Sequence, residues 1–168
     1  MNYYVILVFS IIQYTHCQDV GIQAYENSNF EKALLYYEKI INERDNNKNA
    51  KFGAGSSLFK QNDFDNALEY FNQVVDSDDL QLASKATYNI GNIYREKGDY
   101  EKSLDSYKKA ITLDENNNDA KVNFELLKYM MQNNSQQQQG SEDINKADDK
   151  EQNNQQERES DSSESNDQ

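Results

Sequence analysis

The sequence predicts an all-α fold: a stack of helical hairpins closed by one further helix and followed by an unstructured acidic tail. Three observations carry this. Residue types recur along the chain at intervals of 34 and 36 residues. There is no proline and there are only six glycines, too few for the many tight turns of a sheet-rich fold. The apolar residues, 36% of the 168 with 12 tyrosines among them, thin out beyond residue 132, leaving Tyr-, Leu-, Ala-, Glu- and Lys-rich stretches of helical character before it.

The chain opens with the uncharged apolar run Tyr3–Ile12. It is too short for a membrane span of ~20 residues and suits the core of a secretory signal peptide. Thr15 and Cys17 fit the small-residue positions before a cleavage site, so residues 1–17 are expected to leave and the mature chain to begin at Gln18. The charge-poor start leaves two alternatives open, an uncleaved membrane anchor and a lipid-modified Cys17. The expected localisation is across the inner membrane, in the periplasm, with a membrane-anchored form as the alternative.

The repeat occupies the middle. Gly21, Gly55 and Gly91 recur in step with Phe30, Phe64 and Tyr100, with Ala33, Ala67 and Ser103, and with Tyr37, Phe71 and Tyr107. Asn29, Asp63 and Asp99 each precede an apolar-periodic run and are expected to N-cap the second helix of each hairpin. Ser28, Asn62 and Gly98 stand just before, where the first helix ends and the backbone turns left-handed; Ser28 is the poorer choice there. Small residues in both helices allow close approach, and the aromatic columns fill the space between them. Each hairpin still leaves an apolar face for its neighbour to cover. The closing helix is expected over 118–133, with Val122, Leu126, Tyr129 and Met130 as its packing stripe and Phe124, Leu127 and Met131 widening it.

Residues 132–168 contain ten acids against Lys146, Lys150 and Arg158, so they carry −7 of the net −13. With Ile144 and Ala147 as its only aliphatic residues, this stretch cannot bury enough apolar area to offset its chain entropy, and 134–168 is expected to be disordered. The mean hydropathy of −1.07 reflects that tail.

Four columns keeping one period resemble the tetratricopeptide repeat (TPR) family. The matching units are about 14–47, 48–81 and 84–117, within a TPR domain over 18–133. In the third, Ile90-Gly91, Tyr94, Tyr100, Ser103, Tyr107 and Ala110 stand where the family places Leu-Gly, Tyr, an aromatic, Ala, an aromatic and Ala. The family's Trp column holds Cys17, Lys51 and Thr87, and its Pro column Asp45, Asp79 and Glu115. The resemblance implies a non-enzymatic scaffold whose first helices line a concave, peptide-binding face. Its groove columns here are Ile22, Tyr25 and Glu26; Asn49, Phe52, Ser56, Phe59 and Lys60; Lys85, Tyr88, Asn92, Arg95 and Glu96. Tyr25, Phe52, Phe59, Lys85, Tyr88, Asn92 and Arg95 are the candidate binding residues; a solvated face with core aromatics fits the same columns. The basic clamp by which some TPR domains hold a carboxylate terminus is not matched. Its positions are Gln18, Ile22, Gly53, Lys85 and Asn89, and only Lys85 keeps the charge.

The segment "DAKVNFELLKYMMQNNSQQQQ" from Asp119 narrows the resemblance to the TPR proteins of the bacterial aerotolerance (Bat) operon. That resemblance implies an envelope adaptor beside membrane-anchored von Willebrand A-domain proteins and a MoxR-type ATPase. A generic periplasmic TPR module in outer-membrane or cell-wall assembly is the alternative. Catalytic, metal and cofactor residues are expected to be absent. His16 is the only histidine and Cys17 the only cysteine, and no phosphate loop or nucleophile motif occurs. The acidity argues against nucleic acid as a partner, because phosphate binding needs a basic face. The expected partners are proteins rather than small-molecule substrates.

Overall fold

The computed structural model describes residues 20–134. The expectations for the leader and for the tail from residue 135 lie outside them. The helices are α1 (Val20–Glu26), α2 (Phe30–Glu43), α3 (Lys48–Lys60), α4 (Phe64–Asn72), α5 (Leu80–Glu96), α6 (Tyr100–Leu113) and α7, residues 118–134. No strand occurs among the described residues. The pairs α1·α2, α3·α4 and α5·α6 form hairpins, and α2·α3 and α4·α5 join one hairpin to the next. The chain divides into two units at Phe124 and Glu125; residues 118–124 of α7 belong to the first.

The three hairpin turns are built alike. The N–H of Asn29 donates to the carbonyl of Ala24 (2.9 Å), that of Asp63 to Leu58 (3.0 Å) and that of Asp99 to Tyr94 (2.9 Å). The residue before each cap is left-handed, with φ of 59° at Ser28, 62° at Asn62 and 78° at Gly98. The caps then accept from the backbone three residues on, at Lys32, Asn66 and Lys102. Only the third hairpin spends a glycine on the left-handed position. A side chain there costs about 1 kcal/mol or more, so Ser28→Gly is expected to raise stability by roughly 0.5–1 kcal/mol after the glycine's extra chain entropy is subtracted. Thermal unfolding checks this; an unchanged or lower melting temperature refutes it.

The first helices have caps of their own that the sequence reading passed over. Asn47 accepts from Ala50, Asp79 from Gln81 and Leu82, and Asn117 from Ala120. The 36-residue interval between Gly55 and Gly91 is taken up at the α4–α5 joint. There α4 stops after 9 residues where α2 and α6 run for 14, and α5 starts early and reaches 17. Lys48 ties that joint down. Its ammonium donates to the Gln73 carbonyl (2.6 Å) and to Asp76 (2.7 Å), and holds the Asp76 carboxyl below its usual range.

Packing follows the glycine and aromatic columns. A Cβ on Gly91 would lie 2.6 Å from the ring of Tyr107, one on Gly55 3.0 Å from Phe71, and one on Gly21 2.5 Å from Tyr37. Tyr37 serves twice, because a Cβ on Gly53 in the next hairpin would also meet its ring at 2.5 Å. Around Phe71, Val74 and Ile93, all fully buried, gather Leu58, Leu82, Ile90 and the alanines of the facing helices. Lys51 occupies the family's tryptophan column. Its stem is buried while its ammonium reaches Asp45 at 3.1 Å, a side chain divided between core and water.

The closing helix needs a correction. Val122, Leu126, Tyr129 and Met130, expected to be its packing stripe, are 64%, 52%, 62% and 48% exposed. The buried residues are Ala120 and Leu127, with Asn123 half-buried between them. Asn123 donates to the Tyr88 hydroxyl (3.0 Å) and to the Asn92 side-chain oxygen (3.2 Å), and these bonds fix the rotation of residues 118–124 of α7. A count of apolar residues alone favours the longer stripe because it gives Asn123 no weight.

Candidate functional site

The first helices of the hairpins line two adjoining clefts in the first unit. One, of about 590 Å³, is walled by Ile22, Tyr25 and Glu26 of α1, Tyr37 and Ile40 of α2, and Asn49, Phe52, Gly53 and Ser56 of α3. The other, of about 500 Å³, lies between Phe52, Lys85, Tyr88 and the α6–α7 loop with Asp114, Asn117 and Asp119. Phe52 and Asn89 belong to both, so the two form one continuous surface.

The apolar end has a floor of packed rings. Tyr25 meets Phe30 edge-on at 5.2 Å, and partial burial pushes its phenol above the ordinary range. Phe52 leans on the fully buried Phe71, with ring centres 5.7 Å apart. Gly53 stands at one of the clamp columns that the family resemblance implies. Here its missing Cβ admits Tyr37 to the cleft wall. Sequence reasoning treated Gly53 only as a lost clamp residue. A second glycine two residues before Gly55, where the other repeats have Asp19 and Asn89, was the signal available.

Tyr25, Phe52, Lys85 and Tyr88 line these clefts. Asn92 does not. It is 8% exposed and accepts from the Tyr107 hydroxyl (2.7 Å) as well as from Asn123. Tyr107 is fully buried, and burial raises its phenol above the ordinary range, so it stays a neutral donor. Asn92 thus lies behind Tyr88 as a structural link between the third hairpin and the start of α7. Phe59 packs against Phe64 at the second hairpin turn (5.8 Å). Arg95 pairs with Glu96 (3.2 Å). Neither borders the two clefts. Among the described residues no group of three or more potential ligands could hold a metal ion, and no helix is long and apolar enough to cross a membrane.

The arrangement can hold a chain segment by its side chains and by amide hydrogen bonds, with aromatic anchors at one end. The tetratricopeptide repeat family model matches residues 21–81 and 52–119, together more than half of the chain. This chain belongs to the tetratricopeptide repeat family. Among curated proteins, the TPR chain is 26% identical over 104 residues to the protein STIP1 homolog of Dictyostelium discoideum, a match covering 59% of this chain and 18% of that one. It therefore spans about a fifth of the length of that relative. Among solved structures it superposes on MamA with a TM-score of 0.58 at 21% identity, over 68% of this chain and 66% of MamA. It superposes on the first TPR of Spaghetti (RPAP3), solved bound to the HSP90 peptide SRMEEVD, with a TM-score of 0.60 at 18% identity, over 66% and 86% of the two chains. At those identities the likeness is one of fold. TPR repeats serve generally as protein–protein interaction modules.

Proposed function

We propose that this TPR protein is a non-enzymatic adaptor that docks a segment of another protein along the joined clefts of α1, α3 and α5. The observation that carries it is the continuity of the two clefts through Phe52 and Asn89. The surface offers exposed apolar and amide groups, with Ile22 47% exposed, over a floor in which Tyr25 packs on Phe30 and Phe52 on Phe71. The TPR neighbour solved bound to an HSP90 peptide supports peptide docking as one use of this fold. The partner we propose is an envelope protein, in line with the aerotolerance-operon resemblance of the segment from Asp119 onward and with the leader-like start of the chain.

A photo-crosslinking amino acid placed at Ser56, inside the cleft, tests the docking. The expected result is a crosslinked partner from Ser56 and none from the same group at Glu69, which is exposed on α4. Crosslinks from Glu69 alone move the partner to the opposite face and overturn the reading. A von Willebrand A-domain protein among the Ser56 products supports the envelope assignment, and a cytoplasmic partner refutes it.

A further inference from the structure

Resting on the docking reading above, we propose that the groove accepts a segment carrying cationic side chains next to apolar ones, and that it disfavours acidic, carboxylate-terminated segments. The charges lining the clefts point this way. Lys85 is their one cation, against Glu26, Asp114 and Asp119. Of the lysines in α3, Lys48 is tied to the Gln73 carbonyl and Asp76, Lys51 is buried against Asp45, and Lys60 stands at the far end of the helix; none of them lines the clefts. Asp114 and Asp119 flank the α6–α7 loop; Asp119 is exposed and Asp114 half-buried, so both can meet a ligand without a large desolvation cost.

The position of the charges gives the occupant a direction. Asp114 and Asp119 stand with Lys85 at one end, and Ile22, Tyr25 and Ile40 at the other. Phe52 sits between. An occupant thus places apolar side chains over α1 and α3 and its positive charges beside the α6–α7 loop. The asparagines Asn89, Asn116 and Asn118 around that loop add amide oxygens that also accept from an arginine or lysine, more weakly than the carboxylates, whose bonds are charge-assisted. The field of the whole chain, with a formal net charge of −13, adds the same preference at longer range. A peptide such as the SRMEEVD held by the Spaghetti domain would instead bring its acids to a rim that is itself acidic.

The test uses the full chain and three fluorescein-labelled probe peptides read by polarisation. The first carries leucine and tyrosine followed by an arginine cluster. The second has glutamates in place of the arginines. The third has the arginines with serines in place of leucine and tyrosine. The first is expected to bind about tenfold more tightly than either of the others at low salt, an advantage that shrinks as salt is added. Asp114→Asn with Asp119→Asn is expected to weaken the first peptide by about fivefold or more. The same loss of charge at Asp65 and Glu69, outside the clefts, is expected to leave it unchanged. Equal or tighter binding of the glutamate peptide overturns the proposal, as does a first peptide insensitive to the Asp114 and Asp119 changes or matched by the third. Absence of binding by every peptide overturns it too. In each of those cases crosslinking from Ser56 to a partner still leaves the docking reading standing, whereas loss of Ser56 crosslinking removes that reading and this one together.

Discussion

Phe71→Ala is expected to destabilise the hairpin stack by about 3–5 kcal/mol. Phe71 is fully buried at the centre of the largest apolar cluster. Its ring fills the notch left by Gly55, where a Cβ would come within 3.0 Å, and carries the ring of Phe52. Removing it loses the transfer free energy of the side chain and leaves a hole bounded by two helices. Those helices are held by Lys48 and by a capped turn, so the hole cannot close fully. Against a total of about 5–15 kcal/mol for a small domain, the loss is a large fraction of the whole. Urea unfolding should show the midpoint falling with an unchanged slope. A loss under about 1 kcal/mol would mean that the site collapses around the missing ring, contrary to the packing described. The variant should also weaken docking, because Phe52 loses its support.

Gly91→Ala is expected to cost about 2 kcal/mol in spite of alanine's better helix propensity. Propensity alone would favour the change by about 1 kcal/mol. The added Cβ, however, would sit 2.6 Å and 2.7 Å from two ring carbons of Tyr107 and 3.3 Å from the Ser103 carbonyl. The ring cannot step aside: it is fully buried and its hydroxyl is tied to Asn92. On the other side the Ser103 hydroxyl donates to the Gly91 carbonyl at 2.7 Å, which keeps α5 and α6 close. Overpacking of this kind costs about 1–3 kcal/mol or more, and the clash wins. The melting temperature should fall by roughly 4–8 °C for each kcal/mol lost. An equal or higher melting temperature would show that the two helices separate freely.

The hairpins were legible because two signals agreed: small and aromatic columns kept one interval, and Asn29, Asp63 and Asp99 kept the same interval as caps. What the sequence hid was rotation and register. Ala50, Ala86 and Ala120 are all buried, as are Ser57, Ile93 and Leu127; both sets keep intervals of 36 and 34. Those columns place α7 in the register of a first helix, but alanine and serine are too common to stand out, and the apolar stripe beside them was louder. The site was legible where the groove column also had room to face outward, at Tyr25, Phe52, Lys85 and Tyr88. It was hidden at Asn92, whose burial depends on Tyr107 fifteen residues away and on Asn123 in another helix. Of the two acids at the α6–α7 loop, Asp114 lies outside the first-helix columns, and Asp119, which keeps the intervals of Asn49 and Lys85, escaped notice because α7 was read as a lid rather than as a further first helix.

Tyr37 lies in the notches of both Gly21 and Gly53, and this limits the modularity of the chain. Repeat arrays are often treated as strings of interchangeable parts, each cut at its own boundary. Here the ring that completes the first hairpin is also part of the wall of the second. Excising α1 and α2 as a unit would leave α3 with a glycine notch and no ring to fill it. Grafting a foreign hairpin in front of Lys48 would succeed only if it brought an aromatic residue to the place of Tyr37. The joint between the first two repeats is thus matched in shape, as a key is to a lock, and shuffling or recombination within the array would have to respect it.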